Sequence, residues 1–214
     1  MVQLLNPLLY LQTIFSSNMT LSTYSKDLSS SLSKAGLGIG TTPLLPADFT
    51  PSTELVIKYG EKTVEFGDFL RTGETLEIPS VTFAAEASKT GSTYTLIMVD
   101  PDAPTPEDPK YAYWRHWVAT GLQASSSSSE NIKFSHTPVT KYFGPGPKDE
   151  TATPHRYLFL LYREPTGFEV GKEEVGGEEF VDRRAFKADE FAGKFGLELV
   201  SVNWFSGVGN GWKA

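Results

Sequence analysis

The sequence predicts a mainly β fold with short helices towards either end, and three observations carry that expectation. Short apolar runs rich in β-branched and aromatic residues recur at 54–60, 62–70, 76–83, 94–99, 111–122, 155–162 and 197–205. Gly, Pro or Asp stands at or near at least one end of most of them, as it does in strands. Helical periodicity is confined to two stretches, so the strand–helix alternation of a parallel α/β sheet is missing. At 214 residues, 39% hydrophobic and 21% charged, the chain is long and apolar enough for one core.

Residues 1 to 22 are read as an N-terminal extension and 23 to 214 as a single domain. MVQLLNPLLYLQTIFS contains an apolar run like that of a signal peptide, but no basic residue precedes it and Pro7 interrupts it. An uncleaved extension and a cytoplasmic protein are therefore expected. A secreted or vacuolar location follows only if residues 1–20 act as a signal, and Asn18-Met19-Thr20 then becomes a glycosylation sequon.

Within the domain, Leu28, Leu32 and Ala35 recur at helical spacing between Ser22 and Leu37, and Gly36, Gly38 and Gly40 end the run. Pro43, Pro46 and Pro51 make a stiff connector to ELVIKYG and KTVEFGDFL, which are expected to form a hairpin about Gly60. LEIPSVTF, residues 76–83, is an extended piece whose proline suits an edge or bulge. Tyr94 to Val99 is uncharged and predicts a buried strand, stopped at Asp100.

Further along, strict alternation in YAYWRHWVATGL sets Trp114, His116 and Val118 on one face and Arg115, Trp117 and Ala119 on the other. Five serines from Ser125 to Ser129 predict a surface loop. In HRYLFLLY, His155, Tyr157, Phe159 and Leu161 share a face. The acidic, glycine-rich 167–179 segment is a loop, Asp182 caps a helix ending at Gly196, and LELVSVNWF is the last strand.

Composition narrows function. Nineteen basic against twenty-six acidic residues give a net charge of -7, which disfavours nucleic acid and anionic membranes as bulk electrostatic partners. No apolar run is long enough for a transmembrane helix. Without cysteine there is no disulfide, thiolate metal site or cysteine nucleophile. No G-x-S-x-G, P-loop or G-x-G-x-x-G occurs.

What remains is a set of polar residues at strand ends. In DPDAP the prolines hold Asp100 and Asp102 in a stiff, non-helical path. WRHW contributes His116, and YFGPGP followed by HRY contributes Tyr142, Gly146, Pro147, His155 and Tyr157. If the strands share a sheet, Asp100, Asp102, His116, His155 and Tyr157 converge. Such a cluster admits metal binding, acid–base work by an Asp/His pair, or recognition of a small anion or zwitterion by imidazole, hydroxyl and glycine-loop donors. No local spacing such as H-x-x-x-H supports a metal, and neither metal nor cofactor is expected. Trp114 and Trp117 read as core residues, Arg115 and Arg156 as partners of acids such as Asp102, and His136 as a surface histidine.

Taken together, DPDAP at 100–104, WRHW at 114–117, GPGP at 144–147 and HRYLFLLY at 155–162 resemble the two signature regions of the phosphatidylethanolamine-binding protein family, also called the Raf kinase inhibitor protein family. The likeness extends from about residue 44 to 205 and looks towards the fungal branch, which includes a carboxypeptidase Y inhibitor, modulators of Ras signalling and members that accompany secondary-metabolite gene clusters. The resemblance implies a large antiparallel β-sheet packed on a smaller sheet, with short peripheral helices including one near the C-terminus. It also implies a pocket for phosphate, phosphoethanolamine or carboxylate built from Asp100, Asp102, Pro104, His116, Gly146, Pro147, His155 and Tyr157, with Tyr142 nearby. The implied partners are a small anionic ligand or phospholipid head group and a serine carboxypeptidase or signalling protein. The expected role is binding and regulation; the alternative is an accessory enzyme or ligand-presenting protein for an anionic carboxylate, with Asp100, His116 and His155 catalytic. The chain departs from the animal pattern in the acidic 167–179 loop and in its NWFSGVGNGW end, which replaces a helix bordering the pocket.

Overall fold

The computed structural model describes residues 20–87, 89–125, 132–134 and 137–213. The N-terminal residues 1–19, serines 126–129 and His136 lie outside the described residues.

Helix α1 (Leu21–Lys34) begins where the Thr20 hydroxyl accepts the Thr23 N–H at 3.2 Å and ends before Gly36, whose φ of 68° suits a residue without Cβ. Its buried stripe is Tyr24, Leu28 and Leu32. The expected hairpin forms from β1 (Leu55–Tyr59) and β2 (Lys62–Thr63) around Gly60. The run 62–70, however, is not one strand. It breaks at Gly67, φ 82°, where a Cβ would lie 2.9 Å from the Trp204 ring. Past this break β3 (Asp68–Arg71) joins the other sheet, parallel to the last strand.

Strand β4 (Ser80–Phe83) is shorter than the apolar run 76–83, starting just after Pro79, which has no N–H to donate. It completes a three-stranded sheet ordered β2-β1-β4. The larger sheet adds β5 (Thr93–Asp100), β6 (Trp114–Gln123), β7 (Lys133–Phe134), β8 (His155–Arg163) and β9 (Glu198–Val208), in the order β3-β9-β8-β5-β6-β7. All its pairings are antiparallel except β3 with β9.

Both faces of the large sheet are covered, which is why β5 and β8 read as nearly continuous apolar runs. One face packs Leu96, Met98, Phe159 and Leu161 against Leu55, Ile57 and Phe83 of the small sheet. The other packs Ile97, Val99, Leu158 and Leu160 against α1 and α2 (Ala188–Phe195). The second helix starts later than Asp182. Residues Phe180–Arg183 form a 3-10 turn, the Asp182 carboxylate accepts the Glu179 N–H at 3.1 Å, and Ala185 at φ 51° separates this turn from α2. Gly196, φ 65°, ends α2 as expected.

Candidate functional site

In an antiparallel sheet the end of one strand lies beside the start of its neighbours. Asp100 ends β5, Trp114 starts β6 opposite it, and His155 starts β8 on the other side, so the three sequence motifs meet at one sheet edge. On β8 the alternation holds, with Tyr157, Phe159 and Leu161 all facing the small sheet. On β6 it fails. Met98 pairs with Trp117 but Val99 pairs with Arg115, leaving His116 as the extra residue of a bulge. Arg115 therefore turns to the helix side, over the Phe186 ring, while the His116 ring meets Tyr157 edge-on at 5.2 Å. Val118 stays on the helix side and Trp117 and Ala119 on the other, so His116 and Val118 do not share a face.

The two aspartates have separate partners. Asp100 is buried; its Oδ1 accepts the Asp102 N–H at 2.6 Å and its Oδ2 accepts His155 Nδ1–H at 2.8 Å. Burial pushes its carboxyl above the ordinary range, and the His155 hydrogen bond opposes this. Asp102 is held by Arg156 through Nε at 2.8 Å and Nη2 at 2.5 Å, with the Arg156 N–H at 2.7 Å as a third donor. Arg115 does not pair with Asp102. Its guanidinium donates to the carbonyls of Val175 and Gly177, and burial beside Arg183 lowers it to about 10.

Both histidines line one cavity. His116 Nδ1–H donates to the Phe143 carbonyl at 2.6 Å, since a carbonyl only accepts. Its Nε2 is buried without a partner among the described residues, and so is Nε2 of His155. Burial lowers His116 to about 4, against a raising influence of the Phe143 carbonyl, so at neutral pH its Nε2 carries a lone pair. Tyr157 stands between them, near-parallel to His155 at 6.2 Å.

The cavity has a volume of about 230 Å³. Of the expected residues, Asp100, Pro104, His116, Gly146, Pro147, His155 and Tyr157 line it. Asp102 does not, being turned to Arg156, nor does Tyr142, whose hydroxyl joins Tyr59 at 2.9 Å and the Thr75 carbonyl at 2.8 Å as a brace between the sheets. A groove of about 880 Å³ between α1 and the small sheet is larger, but Asp27, Glu54 and Glu65 line it and it holds no histidine. Among the described residues no group of three or more His, Asp or Glu is placed to hold a metal ion, and no helix is long and apolar enough to cross a membrane.

Sequence reasoning missed part of the wall. Trp114, expected in the core, borders the cavity together with Tyr111, Phe143, Lys148, Phe180 and Arg184. Phe180 and Arg184 come from the segment after the acidic loop, which carries no motif. Arg183 fixes that segment to β6, donating to the carbonyls of Arg115 at 3.2 Å, His116 at 3.0 Å and Lys141 at 3.1 Å.

A large, mostly antiparallel sheet on a smaller one, with short helices outside, is the architecture the motifs led one to expect, and comparison with known proteins agrees. Residues 46–196 match the phosphatidylethanolamine-binding protein family model, and the chain belongs to that family. It is 30% identical over 151 residues to FLOWERING LOCUS T of Arabidopsis thaliana, covering 71% of this chain and 77% of that protein. It is likewise 30% identical over 123 residues to the rice protein MOTHER of FT and TFL1 homolog 2, covering 58% of this chain and 64% of the relative, just under two thirds of its length. Among solved structures, carboxypeptidase Y inhibitor in complex with its cognate proteinase superposes with a TM-score of 0.71 at 24% identity, covering 87% of this chain and 97% of that one. The phosphatidylethanolamine-binding protein of Plasmodium vivax gives 0.64 at 21%, covering 85% and 97%. At these identities the two structures speak for the fold.

Proposed function

We propose that this protein is a non-catalytic binding and regulatory protein whose pocket holds a small anion, phosphate or carboxylate. One observation carries the reading: His116 and His155 line one cavity, and each buries an Nε2 that has no hydrogen-bond partner among the described residues. A buried polar atom left unpaired costs about 1–3 kcal/mol, which a bound oxyanion recovers by sharing or supplying a proton. Lys148 and Arg184 at the same cavity favour a negative ligand. Calorimetric titration with inorganic phosphate tests this. Saturable binding lost in both His116→Ala and His155→Ala is expected; undiminished binding in the two variants refutes the site.

The fold shared with a carboxypeptidase Y inhibitor supports a serine carboxypeptidase as candidate partner. Inhibition exerted through the protein surface survives His116→Ala. The Asp100–His155 hydrogen bond favours a second reading, an accessory enzyme or ligand-presenting protein for an anionic carboxylate substrate, in which His155 moves a proton. Activity of that kind collapses in His116→Ala.

A further inference from the structure

The family's name points to an aminoalkyl phosphate, but the charges around this cavity point elsewhere. An ammonium group bound beside a phosphate needs a free carboxylate or an open aromatic face. Neither is present. Both Asp100 oxygens are taken, by His155 and by the Asp102 N–H, and Asp102 is turned to Arg156. The nearby Glu107 accepts from the Thr153 hydroxyl at 2.8 Å and does not line the cavity.

The cavity does carry two cations, Lys148 and Arg184, and neither forms an ion pair with a carboxylate among the described residues. Cations already lie over three of the aromatic rings: the Arg184 guanidinium is 4.3 Å from the Tyr111 centroid and 5.9 Å from that of Phe180, and the Arg183 guanidinium is 5.4 Å from that of Phe143. Beyond this pair the mouth is apolar. The rings of Phe143 and Phe180 meet at 5.8 Å and the two residues are 41% and 53% exposed, so the apolar surface that the guanidinium groups leave open can pack on an uncharged substituent.

Resting on the anion pocket proposed above, we infer that the site selects phosphate monoesters of uncharged alcohols and rejects aminoalkyl phosphates, with Arg184 as the residue that sets the preference. The anion sits against the imidazoles, Arg184 and Lys148 add attraction to it and repel an ammonium, and the alkyl or aryl group packs on the phenylalanines. The shared chemistry is an alkyl phosphate, whether a soluble ester or the head of a phosphatidic acid.

The test compares n-butyl phosphate with O-phosphorylethanolamine by calorimetry, on the full chain and on Arg184→Gln. In the wild type, butyl phosphate is expected to bind about tenfold more tightly, a difference of about 1.4 kcal/mol. Arg184 is exposed, so the substitution leaves the fold intact, and the ratio should shrink mainly because O-phosphorylethanolamine improves. Sedimentation with phosphatidylcholine vesicles carrying phosphatidic acid or phosphatidylethanolamine separates the sources. Capture by the phosphatidic acid vesicles supports a lipid ligand, and butyl phosphate binding without capture supports a soluble ester. Equal or tighter binding of O-phosphorylethanolamine, or preferential capture by phosphatidylethanolamine, overturns the inference. So does an unchanged ratio in Arg184→Gln, or binding of inorganic phosphate with neither ester. Failure of inorganic phosphate as well removes the anion pocket itself.

Discussion

Replacing His116 by Gln is expected to flatten the loss of stability on mild acidification. In the unfolded chain this imidazole takes a proton near 6.5, whereas burial keeps it neutral in the native state down to about 4. Its folded value is depressed, so the contribution to stability is complete above 6.5 and is lost as pH falls toward about 4. The whole interval is worth about 3 kcal/mol, of which about 2 is gone by about pH 5. The carboxylates titrate in wild type and variant alike, so the difference between them isolates this group. Gln keeps an amide that can donate to the Phe143 carbonyl in place of Nδ1–H. Urea unfolding at about pH 7 and about pH 5, with unchanged m values, reads the effect. Equal losses in wild type and His116→Gln would refute the buried, neutral state of His116.

Other consequences follow from the same contacts. Because neutral His116 presents a lone pair at Nε2, phosphate binding is expected to take up protons and to strengthen as pH falls from about 8 to about 6, read from calorimetry in buffers of different ionisation enthalpy. Arg156→Ala strands the buried Asp102 carboxylate, and a loss of about 3 kcal/mol in urea unfolding is expected. Gly67→Ala puts a Cβ against Trp204 at a positive φ, for a loss of about 2 kcal/mol in thermal unfolding. Arg183→Ala releases the turn bearing Phe180 from the carbonyls of β6; phosphate binding is expected to persist while the preference for butyl phosphate over phosphate declines.

The fold was legible where one rule governed each segment. Strands β5 and β8 are apolar on both faces because helices cover one and the small sheet the other, so their runs stand out. Where β8 keeps its period, His155 and Tyr157 were placed side by side correctly. On β6 the same rule misled, since a bulge is an insertion of one residue against the partner strand and leaves no mark in the strand's own composition. The run 62–70 misled for a similar reason: Gly67 looks like any strand glycine until Trp204 is known to stand over it. Of the cavity, the walls made by DPDAP, WRHW and GPGP were legible, but the wall of Phe180 and Arg184 was not. Its position depends on Arg115 and Arg183 binding carbonyl groups, contacts that any arginine can make and no spacing encodes.

The central claim is that Nε2 of His116 and Nε2 of His155 together receive an anion. Nitrogen-15 NMR of the imidazoles during titration with inorganic phosphate observes both atoms directly. Both Nε2 resonances are expected to move with one saturation curve, while Nδ1 of each ring stays bonded to Phe143 or Asp100. If neither Nε2 moves while the protein remains folded, the cavity is not an anion site.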